Sequence, residues 1–150
     1  MWRRYATAIS IADEEILWEL SRRHLTRFLH TQEPFKFDVE KDGVGGTFVD
    51  FYYMVPFDIA NFIDGEQIHL NPHQEQRDRR VDAALRRGGV RVERFMYKPP
   101  LSLGRKKEIC DAIQSLLEGM GYREHLIKNI GVEAPASRTL RKSRLFSPPA

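Results

Sequence analysis

Two aspartates and a histidine have types and spacing that could support chemistry. Asp50 lies in the apolar stretch "TFVDFYYMV", Asp64 precedes a glycine in "FIDGEQIHL", and His69 follows Asp64 by five positions. Carboxylates are the ligands that a hard divalent cation such as Mg²⁺ prefers. A neutral imidazole beside a metal-bound water can take its proton near pH 7. These residue types therefore indicate a metal site together with a proton carrier.

The hairpin that joins the two aspartate-bearing strands predicts how the carboxylates meet. A loop of residues 56–58 would pair Val55 with Ile59. Counting outward then places Asp50 directly opposite Asp64, with Cβ atoms about 4.5–5.5 Å apart, so a cation would be needed between them. Two other interpretations stay open. Asp64 could be a turn residue, because aspartate before glycine is common at turns, and a register slip of one residue would put the two carboxylates on opposite faces of the sheet.

The elements that must position these residues follow from hydrophobic periodicity. "SIADEEILWELSRRHLTRFLH" predicts an amphipathic helix, with Ser10 and Asp13 as its N-terminal capping signal. Three strands are predicted in "PFKFDVE", "TFVDFYYMV" and "IANFID", then a helix in "HQEQRDRRVDAALRR", a strand in "VRVERFMY" and a helix in "RKKEICDAIQSLLEGMG". This order, α-β-β-β-α-β-α, predicts an α/β fold in which a meander and a crossover build a mixed sheet with helices packed on it.

Apolar residues in these elements define the expected core. Trp18 on the first helix and Cys110 on the last are both predicted to be buried. The same is expected of the strand aromatic residues Phe48, Phe51, Tyr52, Tyr53 and Phe95.

Length and composition limit the class of protein. The chain has 150 residues, 41% of them hydrophobic and 30% charged, which is typical of one globular domain. We expect the domain to span residues 1–130, followed by a basic, poorly ordered tail over residues 131–150. No apolar run reaches the roughly 18 residues of a membrane helix, and no signal peptide is evident. With one cysteine, these features favour a cytoplasmic protein without a membrane partner.

Five segments, in this order, carry a family resemblance: "EEILWEL", "FVDFYY", "FIDGEQIHL", "RDRRVDAALRRGGVRVERF" and "EICDAI". Over roughly residues 10–120 the chain resembles the very-short-patch-repair endonuclease branch of the PD-(D/E)XK nuclease superfamily. That branch includes small uncharacterised nuclease-like domains and homing endonucleases. The resemblance implies a restriction-endonuclease-like fold and hydrolysis of DNA phosphodiester bonds with Mg²⁺, or with Mn²⁺ in its place.

The resemblance also implies roles for particular residues. Asp50 and Asp64 match the two metal-binding positions, and the backbone carbonyl of Ile63 matches a third ligand. His69 matches the histidine that activates water. Glu14 matches a glutamate of the N-terminal helix that approaches the site.

The basic residues predict the nucleic-acid contacts. Arg77, Arg79 and Arg80 lie on one predicted helix and would hold phosphates on either side of the scissile bond without reading sequence. The alternative is a solvated helix face on which they pair with Asp78 and Asp82. Cutting both strands would further require a homodimer with two-fold symmetry.

One departure from the family pattern keeps a second function open. Relatives of the uncharacterised type carry a glutamate where this chain has Phe62, although the repair type is apolar there, and the superfamily's usual lysine is absent from this stretch. The predicted function is a metal-dependent DNA endonuclease of the repair-nicking or homing type. The alternative is a catalytically inactive subunit of the same fold that binds nucleic acid or serves assembly.

Overall fold

A four-stranded mixed sheet carries the fold in the computed structural model, which describes residues 10–66 and 71–128. The elements in chain order are α1 (Ile11–Arg22), β1 (Leu29–Lys36), α2 (Val39–Asp42), β2 (Gly46–Tyr53), β3 (Ile59–Gly65), α3 (Pro72–Arg87), β4 (Arg91–Tyr97), α4 (Leu103–Gly119) and α5 (Tyr122–Lys128). The mixed α/β class is as predicted. The element order differs by two short helices, α2 and α5, that periodicity did not indicate.

The strands follow one another across the sheet in the order β1-β2-β3-β4. The pairs β1–β2 and β2–β3 are antiparallel, whereas β3 and β4 are parallel. A parallel pair needs a crossover connection, and α3 is that connection. The predicted meander followed by a crossover is therefore confirmed.

Helices cover both faces of the sheet because the side chains of a strand alternate between them. On β3, Ile59 and Ile63 pack in one core with α1, α4 and α5, while Ala60 and Phe62 pack in another core with α3. The helix residues that fill the first core are Ile16, Leu20, Ile109, Cys110, Ile113, Leu117 and Tyr122. Those of α3 in the second core are Val81 and Leu85.

The first helix and the first strand have different limits from those predicted. Helix α1 ends at Arg22, because His24 and Phe28 adopt φ values of 59° and 66°, outside the helical region. Strand β1 then begins at Leu29 and contains Pro34 instead of starting at it. Proline is tolerated there because β1 is an edge strand. The last two residues of the predicted strand, Val39 and Glu40, belong to α2 instead.

Two aromatic residues predicted to be buried are on the surface. Trp18 is 70% exposed and Phe48 is 39% exposed. Ile16 and Leu20 are one turn apart and face the core, so Trp18, two residues from each, points to the opposite side of α1. Phe95 is half-buried, whereas Phe51, Tyr52, Tyr53 and Cys110 are buried as predicted.

The single cysteine lies in the first core. Burial raises the pKa of the Cys110 thiol to about 11.

None of the helices within residues 10–66 and 71–128 is long and apolar enough to cross a lipid bilayer. The predicted basic tail, residues 131–150, lies outside the described residues.

Candidate functional site

A pocket of about 460 Å³ opens where the two parallel strands end. Strands β3 and β4 finish side by side at Gly65 and Tyr97, and ligands of α/β proteins commonly bind outside the carboxyl ends of such strands. Helices α1 and α3 begin at the same edge, so their N-terminal residues contribute to the pocket. The charged residues that line it are Asp13, Asp50, Asp64, Arg77, Asp78 and Arg94.

The register between the two aspartate-bearing strands differs from the predicted one by two residues. Tyr53 pairs with Ile59, and continuing this ladder would place Asp50 level with Phe62 instead of Asp64. An even shift preserves the alternation of faces. Asp50 and Asp64 therefore lie diagonally across the ladder and still line one pocket, although the prediction of direct opposition was wrong.

The connection between β2 and β3 is longer than predicted because the chain already turns at Met54. The Met54 carbonyl accepts the backbone N–H of Phe57 at 3.1 Å and that of Asp58 at 3.4 Å. Asp58, with a φ of 59°, accepts a hydrogen bond from the Tyr52 hydroxyl at 2.5 Å. The turn therefore takes five residues, 54–58, where the sequence indicated three.

Asp50 is held by donors from both neighbouring strands. Its Oδ2 accepts the backbone N–H of Ile63 at 2.8 Å, and its Oδ1 accepts the side-chain amide of Gln32 at 3.1 Å. Burial raises the pKa of Asp50, and these hydrogen bonds oppose that increase. Within an extended strand the N–H and C=O of one residue point to the same side. The carbonyl of Ile63 therefore points toward the side on which Asp50 lies, as a ligand role would require.

Asp64 is paired with an arginine that the sequence analysis did not select. Arg94 on β4 contacts Asp64 Oδ2 through Nη1 at 3.0 Å. Its Nε and Nη2 donate to Asp82 at 2.8–3.0 Å, and its guanidinium lies 4.1 Å from the centre of the Phe62 ring. Burial would lower the pKa of Arg94, but Asp82, Asp64 and the more distant Asp78 raise it overall.

Arg94 also settles where two acidic residues of α3 point. The sequence left open that Asp78 and Asp82 neutralise arginines on their own helix. Instead both face Arg94, Asp82 in a forked pair and Asp78 at 3.8 Å. One guanidinium from the sheet thus compensates carboxylates from β3 and α3. No local pattern indicates this, because Arg94 is 12 positions from Asp82 and 30 from Asp64.

The carboxylate that α1 brings to the pocket is Asp13, and Glu14 is exposed outside it. Asp13 is 6% exposed, and within the described part of the chain its Oδ1 has no hydrogen-bond partner. A helical wheel contains the signal that was missed. Asp13 lies three and seven positions before Ile16 and Leu20 and so belongs to the buried stripe, which Glu14 does not.

The pKa of Asp13 is raised to about 7. Burial is the largest cause, and the pKa is raised further by the charge of Asp50, by a hydrogen bond with the Asp50 side chain and by the charge of Asp64, while a hydrogen bond with the Ser10 side chain lowers it. Tyr97 senses the same charges, because burial and then Asp13, Asp50 and Asp64 raise the pKa of its phenol. The three carboxylates therefore form one electrostatic unit.

The three predicted DNA-binding arginines have different surroundings. Arg77 lines the pocket and donates from Nη2 to the Gly46 carbonyl at 2.9 Å. Arg79 is exposed and pairs with Glu75 at 3.4 Å. Arg80 packs over the end of α2, where a Cβ on Gly43 would meet its Cδ at 3.2 Å. Of the three, all in the described part of the chain, Arg77 is the one that reaches the site.

The donor set fits a hard divalent cation in part. Within residues 10–66 and 71–128, no group of three or more His, Cys, Asp or Glu side chains is arranged to enclose a metal ion. Mg²⁺, however, is commonly held by one or two carboxylates and keeps several waters. Asp50 and Asp64 are the two carboxylates of this pocket that could hold it in that way. His69 lies outside the described residues and stays a prediction.

Comparisons of the chain with protein-family models, with curated proteins and with solved structures find no match.

Loss of Arg94 should destabilise the protein strongly. Arg94→Met leaves Asp64, Asp78 and Asp82 without their shared cation, and breaking such a buried pair typically costs about 3–5 kcal/mol. Arg91→Met on the same strand is the matched control, because Arg91 is 58% exposed and its pair with Glu93 should be worth less than about 1 kcal/mol. Urea unfolding followed by circular dichroism measures both. Equal losses would contradict the central role of Arg94.

Asp13 should make stability depend on pH. Its pKa is about 7 in the folded protein and 3.8 for an aspartate side chain in water, so between these pH values the folded state holds an extra proton. The free energy of unfolding should fall as pH rises from about 4 to about 7, by about 4 kcal/mol at most, and then level off. Asp13→Asn removes this term and should therefore be stabilised relative to the parent at about pH 8 but not at about pH 4. A pH-independent difference in urea unfolding would contradict it.

Proposed function

We propose that this protein is a metal-dependent DNA endonuclease of the repair-nicking or homing type. The observation that carries the proposal is the convergence of Asp50 and Asp64, from neighbouring strands, on one pocket that the buried carboxyl of Asp13 also lines. Oxygen-rich pockets of this kind suit Mg²⁺ or Mn²⁺. The resemblance of the "FVDFYY" and "FIDGEQIHL" segments to repair endonucleases favours DNA as the substrate.

Each proposed ligand is held by a contact within the chain. Asp50 is oriented by the Ile63 N–H and by Gln32, while Asp64 is oriented by Arg94. The Ile63 carbonyl completes the set. A divalent cation in this pocket would lower the pKa of a bound water and offset charge on the phosphate.

The charge of the pocket supports the need for a cation. Asp13, Asp50, Asp64 and Asp78 line it beside two arginines, Arg77 and Arg94, and Arg94 is shared with Asp78 and Asp82. A surplus of carboxylates repels a phosphodiester, so a bound cation would favour its approach to this pocket. Arg77 at the opening would hold a neighbouring phosphate.

A non-catalytic DNA-binding subunit is the second candidate. The observation that favours it is the Arg94–Asp64 pair, which compensates one proposed ligand without any metal. Phe62, in the position where some relatives carry a glutamate, lies under Arg94 and is buried, so it adds no ligand. This candidate predicts salt-sensitive DNA binding with no cleavage in any divalent metal.

A nicking assay on supercoiled plasmid separates the two candidates. The parent protein should cut in Mg²⁺ or Mn²⁺ and not in EDTA. Asp50→Asn should reduce the rate by more than the roughly 10–100-fold that loss of a group supporting a metal ligand typically costs. Glu40→Gln, an exposed change on α2 with the same loss of charge, should leave the rate unchanged.

Two outcomes of this assay count against the site. Equal cleavage by Asp50→Asn and the parent would remove the assigned carboxylates from catalysis. Absence of cleavage in all metals, with binding retained, would favour the second candidate. Purification of the parent and both variants by the same procedure controls for a contaminating nuclease.

Arg77 should contribute to DNA affinity more than Arg79. Arg77→Gln should weaken binding to a labelled duplex and lower the slope of log K against log salt by about 1, the amount expected for one lost phosphate contact. Arg79→Gln has the same change of charge on the same helix but lies away from the pocket, so it should have little effect. Fluorescence anisotropy at several salt concentrations measures both. Indistinguishable variants would contradict the assignment.

A further inference from the structure

A second groove continues from the acidic pocket along the surface. It has a volume of about 520 Å³, and it shares Tyr97 and Pro99 with that pocket. Its other walls come from the residues that follow β4 and from the start of α4. This volume lies within the range of about 300–1,000 Å³ that holds small organic ligands.

The chemistry of this groove is opposite to that of the acidic pocket. Lys98 and Arg105 are its basic residues, and Glu66 is the acidic residue among its described lining. Met96, 43% exposed, and Tyr97 add an apolar surface between the charges. A basic groove with an aromatic wall suits a ligand that has both a phosphate and a flat ring.

Arg105 is fixed in place by its own surroundings. Its Nε donates to the Met96 carbonyl at 2.8 Å, and its Nη1 pairs with Glu108 at 3.2 Å. Its backbone N–H donates to Ser102 Oγ, the cap of α4. Helix α4 has 17 residues and no acidic residue in its first turn, so the positive end of its dipole reinforces the charge of Arg105.

We propose that this groove binds the nucleotide that follows the scissile phosphate along one DNA strand. The phosphate would lie between Lys98 and Arg105, and the base would stack on the side formed by Tyr97 and Met96. The inference rests on the proposed function, because the acidic pocket defines which phosphate is cut. The shared Tyr97 and Pro99 provide the continuity that a polymer passing from one site to the other requires.

Charge complementarity selects this occupant over others. The proposed metal-binding pocket carries carboxylates, whereas the adjoining groove carries a lysine and an arginine. A DNA strand could therefore place one phosphate at the metal ion and the next phosphate against these two basic side chains. An acidic peptide would satisfy the basic residues but would gain less from the Tyr97 ring. Stacking of a base on an aromatic ring adds affinity and tolerates any sequence.

Equilibrium binding in EDTA tests the groove without any cleavage. The double variant Lys98→Gln/Arg105→Gln should bind a fluorescent single strand about tenfold more weakly than the parent. The slope of log K against log salt should fall by about 0.7 for each phosphate contact that is lost. Tyr97→Leu should weaken binding at every salt concentration without changing the slope.

The matched control is Lys41→Gln/Lys107→Gln, which removes the same charge outside the groove. Lys41 is exposed on α2, and Lys107 is on α4, where it pairs with Asp111 at 2.8 Å. Equal affinities for the two double variants would overturn the inference. A competing acidic peptide that displaces the strand at equal concentration would also overturn it.

Failure of the groove and failure of the proposed function can be told apart. Weaker binding by the groove variant, with no cleavage in any metal, supports the groove and rejects the endonuclease. If the parent cleaves DNA with a metal but the groove variant binds DNA as tightly as the parent, the groove alone is rejected. A parent that binds no DNA even at low salt rejects both.

Discussion

The structure depends on how buried carboxylates are compensated at the edge where β3 and β4 end. Arg94 contacts Asp64 on β3 and Asp78 and Asp82 on α3, so one guanidinium joins the sheet to the crossover helix. Its guanidinium also packs on the Phe62 ring, at 4.1 Å from the ring centre. Because a buried charge without a partner is costly, this network favours the packing of α3 against the end of β4.

Asp13 and Asp50 show how acidic side chains are kept close together in the pocket. Asp50 remains an acceptor because the backbone of Ile63 and the side chain of Gln32 donate to it. Gln32 does so from a φ of 51°, a conformation that costs a non-glycine residue about 1–3 kcal/mol and tends to occur at functional sites. The protein therefore accepts both desolvation and backbone strain to keep acidic oxygens together, which is the pattern expected of a binding site.

Parts of the fold and of the site were predictable from local signals. Alternation and β-branched residues identified β2 and β3, and the proline and glycines around α3 identified its limits. Asp50 and Asp64 were expected on one face of the sheet, and the register agrees, because a shift of two residues preserves the alternation of faces. The shift itself was not predictable, because the chain turns at Met54, whose carbonyl accepts from Phe57 and Asp58, and no residue pattern marks that position.

The amino-acid sequence by itself determined the order of the main elements, the crossover, and the position of Asp50 and Asp64 on one face of the sheet. Periodicity and turn chemistry act within short segments, so these features can be found from local patterns. The tertiary structure alone decided that Arg94 is the cation shared by Asp64, Asp78 and Asp82, and that Asp13 meets Asp50 and Asp64 in one pocket. These features require contacts between residues distant in the chain. Such contacts depend on how helices seat on the sheet, which no local pattern specifies.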